Sequence, residues 1–287
     1  QQFSETQDLK KQSFILDNKK AHIIYIETLI DTEKLYEKLA EMSLIEIESQ
    51  QSKNLRYVLR NLESIKESIN SLLEGKGLLF IEDDDHFFEF ELKKSNDRSI
   101  EEPKNEKVVR GDHEGFIENI NTNINLIRYR IKNKHLVVRY YTVGNETPTI
   151  IALVYHNKIV NKHILSEVVK RINSIDSDLI INPGFTEEFI EDNAYSLFPQ
   201  MLNTERVDRA VANIMEGRIA ILSDGAPDAI ILPINFFAFF QSPDDYNSRW
   251  INGSFFRVLR MLSLLIAIAL PSLYISVISF HSEIIPT

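Results

Sequence analysis

The chain has 287 residues, with 32 Lys and Arg against 42 Asp and Glu, a formal net charge of −10, and 44% hydrophobic residues. This length suits about two domains with packed cores. The acidic balance, without a dense Lys/Arg stripe, excludes a nucleic-acid-binding surface, and the absence of cysteine excludes disulfides, zinc fingers and cysteine nucleophiles.

In chain order, residues 1–20 are polar, carry no apolar run of signal-peptide type, and are expected to form a flexible N-terminus. Residues 22–29 (HIIYIETL) read as a strand. Asp31 is placed to cap a short helix with Leu35, Leu39 and Met42 on one face. The spacing of Leu55, Val58, Leu62, Ile65, Ile69 and Leu72 predicts an amphipathic helix over 52–73, ended by Gly75-Lys76-Gly77. Residues 78–82 and 87–92 predict a hairpin. Together 21–92 make a first α/β subdomain. The polar stretch 93–107, containing Pro103, reads as a linker.

The second subdomain spans 108–246. Ile117, Ile120, Ile124, Ile127 and Ile131 mark a helix. Strands are expected at 136–143, 150–156, 179–181, 218–222 and 229–234, and helices at 164–175 and 204–216. Ser223-Asp224-Gly225-Ala226-Pro227 has the chemistry of a turn. Strands alternating with helices imply an α/β layered fold with mixed sheets. The aromatic run 235–240 (NFFAFF) reads either as core of this unit or as an interfacial belt near a bilayer.

Residues 247–260 then form a juxtamembrane segment leading into 261–280, an uncharged run of membrane-spanning length. A buried core helix is the alternative reading of this run. Pro271 and Ser263, Ser272, Ser276 and Ser279 are compatible with a membrane helix, where neighbours satisfy freed carbonyls. Arg249, Arg257 and Arg260 precede the run and no Lys or Arg follows it, which places the preceding domains in the cytoplasm. Residues 281–287 begin the following loop, and the sequence reads as part of a longer membrane protein.

Signals for chemistry are weak. The acidic run 82–85 with His86 lacks the spacing of a calcium loop. The segment 110–115 has no phosphate-loop pattern, and Asp112 and Glu114 are expected near a positive helix N-terminus. His156 and His163 lack convergent metal partners. Glu216-Gly217-Arg218 suits an ion pair or polar junction, and no nucleophile elbow occurs. Neither a catalytic constellation nor a cofactor or metal site is expected.

From about residue 108 to Thr287 the chain resembles the GerA family, the A subunits of bacterial spore germinant receptors. The resemblance rests on VRGDHEGFIENINTNINLIRYRI ending at Ile131, LFPQ at 197–200, TERVDR at 204–209, EGRIAILSDGAP at 216–227, FFQSPDDY at 239–246 and FHSEIIPT at 280–287. Residues 1–107 match weakly, and Asp112-His113 and the segment 247–249 depart from the expected pattern. The resemblance implies a multi-pass protein of the spore inner membrane whose N-terminal domain of two α/β subdomains faces the spore core. It also implies action with separate B and C subunits, self-association of the A subunit around an ion path, and sensing of a small-molecule germinant by the complex, with the B subunit as the expected binder, followed by ion release. It carries no catalytic residues.

Such a mechanism is conformational, and a ligand must bind one state better than the other to shift the balance. Asp224, Gln241, Asp244, Asp245, Arg249 and Arg257, which lie on a turn and at the domain–membrane junction, are the candidate coupling residues; the alternative is that they are turn and juxtamembrane anchors. A membrane-tethered cytoplasmic module that binds a small molecule between the two units is the competing reading.

Overall fold

The computed structural model describes residues 3, 5–16, 19–48, 60–62, 64–82, 87–94, 103, 106, 113–175, 183–192, 196, 200–240 and 250–280. They form two α/β units and one long C-terminal helix.

The first unit is a five-stranded sheet in the order β1-β2-β4-β5-β3. Its strands are β1 (Leu9–Leu16), β2 (Lys19–Ile26), β3 (Arg60–Leu62), β4 (Lys76–Ile81) and β5 (Phe87–Glu91). β2 places Ile23 and Tyr25 on one face and Ile24 and Ile26 on the other, as a period of two requires. The first face packs with Leu79, Phe88 and Phe90 against Leu35 of helix α1 (Thr32–Glu48). The second face packs against Leu72 and Leu73 of α2 (Ile65–Leu73). The expected hairpin is present as β4 and β5.

Two expectations for this unit differ from the structure. The N-terminal region read as flexible contains β1, paired antiparallel with β2 along its length. It is an edge strand with Lys10 and Lys11 exposed, and edge strands often carry such charges. Within the expected 52–73 helix, residues 60–62 form a strand instead. Leu62 lies in β3 opposite Phe87, and the helix starts only at Ile65, where the Ser64 side chain accepts a hydrogen bond from the Glu67 N–H at 3.2 Å.

The second unit is a five-stranded sheet in the order β6-β7-β9-β10-β8, with helices on both faces. Its strands are β6 (Leu136–Val143), β7 (Thr149–His156), β8 (Leu202–Thr204), β9 (Ile219–Ser223) and β10 (Ala229–Leu232). In β7, Ala152 and Val154 pack with Ile120, Ile124 and Ile127 of α3 (Ile120–Arg130) and with Ala210 and Ile214 of α6 (Val207–Met215). Ile151, Leu153 and Tyr155 face the other way, onto Leu165, Val168 and Ile172 of α4 (Lys162–Asn173). Every described strand pairing in both sheets is antiparallel.

Thr204, expected to open a helix, belongs to β8, and α6 begins at Val207. Pro183 opens α5 (Pro183–Ile190), a position where its fixed φ and missing N–H cost little. The strand expected at 179–181 lies outside the described residues. Where the linker was expected, the described Glu106 is held to the second unit by Arg209 at 2.5 Å.

The C-terminal helix α7 (Trp250–Phe280) has 31 residues and is long and apolar enough to cross a membrane. At about 1.5 Å per residue it extends roughly 46 Å. It begins well before the uncharged run, so the described part of the expected juxtamembrane segment is helical. The hydroxyls of Ser263 and Ser272 donate to the carbonyls of Leu259 and Ala269 within the same helix, both at 2.8 Å.

Candidate functional site

Helix α3 joins the two units. Its start is fixed twice: the Asn119 side chain accepts from the Thr122 N–H at 3.0 Å, and Asp224 Oδ1 accepts from the Ile120 N–H at 3.3 Å. The turn carrying Asp224 is itself held, because the Asp224 N–H donates to the Ile150 carbonyl at 2.9 Å and the Gly225 N–H to the Glu118 carbonyl at 2.8 Å. With Ile120, Ile124 and Ile127 committed to the core, the helix turns Asn125, Arg128 and Tyr129 toward the first unit.

There Arg128 meets Asp8, a residue 120 positions away. Both side chains are buried, at 1% and 0% exposure. Arg128 Nε donates to one Asp8 carboxylate oxygen at 2.5 Å and Nη2 to the other at 2.7 Å, the two-pronged geometry that suits guanidinium to carboxylate. The Thr28 hydroxyl adds a donor to Asp8 at 2.9 Å, and Asn125 Nδ2 donates to the Thr28 carbonyl at 2.7 Å. Residues 6–8 also run beside β6, the outer strand of the second sheet. The Gln7 N–H donates to the Val138 carbonyl at 2.9 Å, and the Val138 N–H to the Thr6 hydroxyl at 3.0 Å. The segment before β1 is therefore a strap across both units. Burial pushes the nearby Tyr140 phenol far above its usual range, and the charges of Asp8 and Glu27 add to this.

Beside the strap lies a cleft of about 630 Å³ between the units, within the range of about 300–1,000 Å³ usual for small-molecule sites. The first unit contributes Lys34, Lys76, Lys93 and Lys94, and α3 and its extension contribute Asn125, Tyr129 and Lys132. Five lysines face two glutamates, Glu74 and Glu91, so the cleft is basic in an acidic chain. The Lys93 and Lys132 ammonium groups sit 5.4 and 5.3 Å from the Tyr129 ring centroid, within cation–π range. Lys76 is held by Glu89 at 3.2 Å and Glu74 at 3.5 Å. Burial opposes its charge, but these two carboxylates outweigh that and raise its pKa. Such a cleft suits a small ligand carrying a carboxylate or another anionic group.

Of the candidate coupling residues, Asp224 and Arg257 are among the described residues. Asp224 anchors the start of α3. Arg257 is half-buried on α7, on the same stripe as Gly253, Arg260 and Leu264. Gln241, Asp244, Asp245 and Arg249 lie outside the described residues, as do Asp112 and the run 83–86. Glu114 does not serve a helix N-terminus. It pairs with Arg130 near the end of α3 at 2.5 Å, where the basic side chain favours it. Glu216 and Arg218 do form an ion pair, at 3.2 Å. His156 stacks edge-on with His135 at 5.9 Å. No group of three or more potential ligands is placed to hold a metal among the described residues. Asp8, Lys93, Arg128, Tyr129 and Lys132 were not singled out by sequence, because each is an ordinary residue whose partners are distant in the chain.

The family model described as "Bacillus/Clostridium GerA spore germination protein" matches residues 1–287. The chain belongs to the GerA family. The match extends through residues 1–107, where the GerA resemblance seen in the sequence was weak. Among curated GerA-type relatives, spore germination protein B1 of Bacillus subtilis (strain 168) is 40% identical over 226 residues, covering 79% of this chain and 47% of that protein. Spore germination protein A1 of the same organism is 35% identical over 292 residues, covering 99% of this chain and 60% of that protein. This GerA chain thus spans about half to three-fifths of the length of these relatives. The crystal structure of the N-terminal domain of the A subunit of the Bacillus megaterium spore germinant receptor GerK3 aligns with a TM-score of 0.59 at 26% identity, covering 80% of this chain and 91% of that one.

Proposed function

We propose that this chain is the sensing part of a spore germinant receptor A subunit, anchored in the spore inner membrane by α7 with its two α/β units on the spore-core side. It works with B and C subunits, associates with further copies of itself, and couples germinant detection to ion release by a change in conformation. The observation that supports this most directly is the family match over the whole chain. The strapped cleft adds a second element to the reading: the A subunit itself takes a small ligand with an anionic group between its units. Ligand held there biases the angle between the units, and α3, fixed at one end by Asp224 and at the other by Arg128, carries the change.

Germination tests both parts. Spores lacking the gene, exposed to amino acids, sugars and nucleosides, are expected to lose early cation and dipicolinate release for one germinant class and to regain it on complementation. Complementation with Lys93→Glu and Lys132→Glu together, made in normal amount, is expected to raise the germinant concentration required. A normal response of the deleted spores to every germinant would overturn the receptor reading. An unchanged requirement in the charge-reversed spores would overturn the cleft alone.

A further inference from the structure

Residues Phe236–Phe240 form an aromatic 3-10 turn between β10 and α7. Its small residue faces inward: Ala238 is buried, and its N–H donates to the Asn235 side chain at 3.1 Å and to the Asn235 carbonyl at 2.9 Å. The rings face outward instead. Phe236 is 43% exposed, Phe237 54% and Phe239 38%, and Phe236 packs edge-on against Phe237 and Phe240 at 5.9 and 5.2 Å. Contiguous apolar surface of this kind usually marks an interaction site.

The turn is tied directly to α7. Arg260 donates from Nη1 to the Phe240 carbonyl. Arg260 is also the last charged residue before the uncharged run that begins at Met261. Helix side chains lean toward the N-terminal end, so the bond holds the turn at or just before the level where charge ceases. Trp250, Phe255 and Phe256 stand exposed on the preceding turns of the same helix. Where a helix enters a bilayer, that level is the headgroup region, where aromatic rings concentrate and arginines are drawn to anionic lipid.

We propose that the Phe236–Phe240 turn is a second membrane contact, its rings seated among the headgroups and upper acyl chains of an anionic bilayer and its distance from the helix fixed by Arg260. The soluble units then meet the membrane at two points rather than hanging from one helix. This rests on the reading that α7 crosses the membrane.

The test uses the whole 287-residue chain in vesicles of phosphatidylcholine and phosphatidylglycerol. Trp250 is the single tryptophan, so Trp250→Phe clears the background and Phe237→Trp or Phe239→Trp reports from the turn. Flotation with the vesicles is measured first, then tryptophan emission with lipids brominated either just below the headgroup or near the chain end. The proposal predicts a blue shift and loss of emission with the shallow bromines, and little change with the deep ones. A chain that fails to float overturns the membrane reading and this proposal with it. A floating chain whose reporters emit as in water, or are blue-shifted yet unquenched because they are covered by protein, overturns the proposal alone.

Discussion

Arg128 and Asp8 tie helix α3 to the segment before β1 through a buried ion pair. Removing one partner from a buried, hydrogen-bonded ion pair leaves an uncompensated charge, at a cost of about 3–5 kcal/mol. Arg128→Met is expected to lower stability by about that amount, read as a drop in thermal midpoint of the detergent-solubilised chain. Adding Asp8→Leu should recover part of the loss, since the stranded carboxylate is then gone. Smaller penalties than these would show that the pair is open to water. His156 offers a pH-dependent counterpart. Burial lowers its pKa and that of His135, and the charges of Lys134 and Lys158 push His135 the same way; His156 Nδ1 has no hydrogen-bond partner among the described residues. The folded state therefore disfavours the protonated rings. Stability from this source is fully present above the ordinary histidine value of about 6.5 and declines as pH falls below it. Asp228 and Glu187, whose pKa values burial raises, act in the opposite sense: acid favours their folded, protonated forms. The difference between wild type and His156→Asn melting curves isolates the histidine contribution. It is expected to shrink between pH 7 and pH 5.5.

Among the elements, the α6–β9 junction is the most constrained by backbone. Gly217 has φ +92°, and a Cβ there would lie 2.8 Å from the Ile159 carbonyl oxygen, a backbone atom unable to step aside. Gly217→Ala is expected to cost about 1–3 kcal/mol, measurable as a shifted denaturant midpoint without loss of sheet signal; an unchanged midpoint would contradict the geometry. Element type was legible in the sequence where one residue class persists. β6 is a run of β-branched and aromatic residues, and α4 and α6 show their apolar stripes plainly. Legibility failed where two patterns share residues. Leu62 fits the helical spacing of Leu55 to Leu72, yet it is used by β3, and only the Ser64 cap reveals where the helix begins. β1 was missed because an edge strand exposes polar and charged residues such as Lys10, Lys11 and Ser13. The cleft was foreseen as a place between units but not as a set of residues. Lys34, in the first turn of α1, and Lys132, just past the end of α3, are ordinary lysines until the tertiary fold brings them together.

For the whole molecule, charge is distributed against its average. A net charge of −10 coexists with a basic hollow between the units, so an anionic ligand is repelled by most of the surface and drawn to one part of it. Association of such a ligand with the chain is expected to slow as salt rises across about 0.01–0.5 M, because screening shortens the reach of the lysines. Stopped-flow rates that do not vary with ionic strength would argue against a charge-guided site. The strap has a consequence for biosynthesis as well. A ribosome adds about 5–20 residues per second, so Arg128 is made roughly 6–24 s after Asp8. For that interval the nascent first unit carries a carboxylate whose guanidinium does not yet exist, and the strand edge it will cover has not been made. Joining the two halves is therefore a late event in the life of each new polypeptide, and residues 6–8 reach their final neighbours only once the second unit is being made.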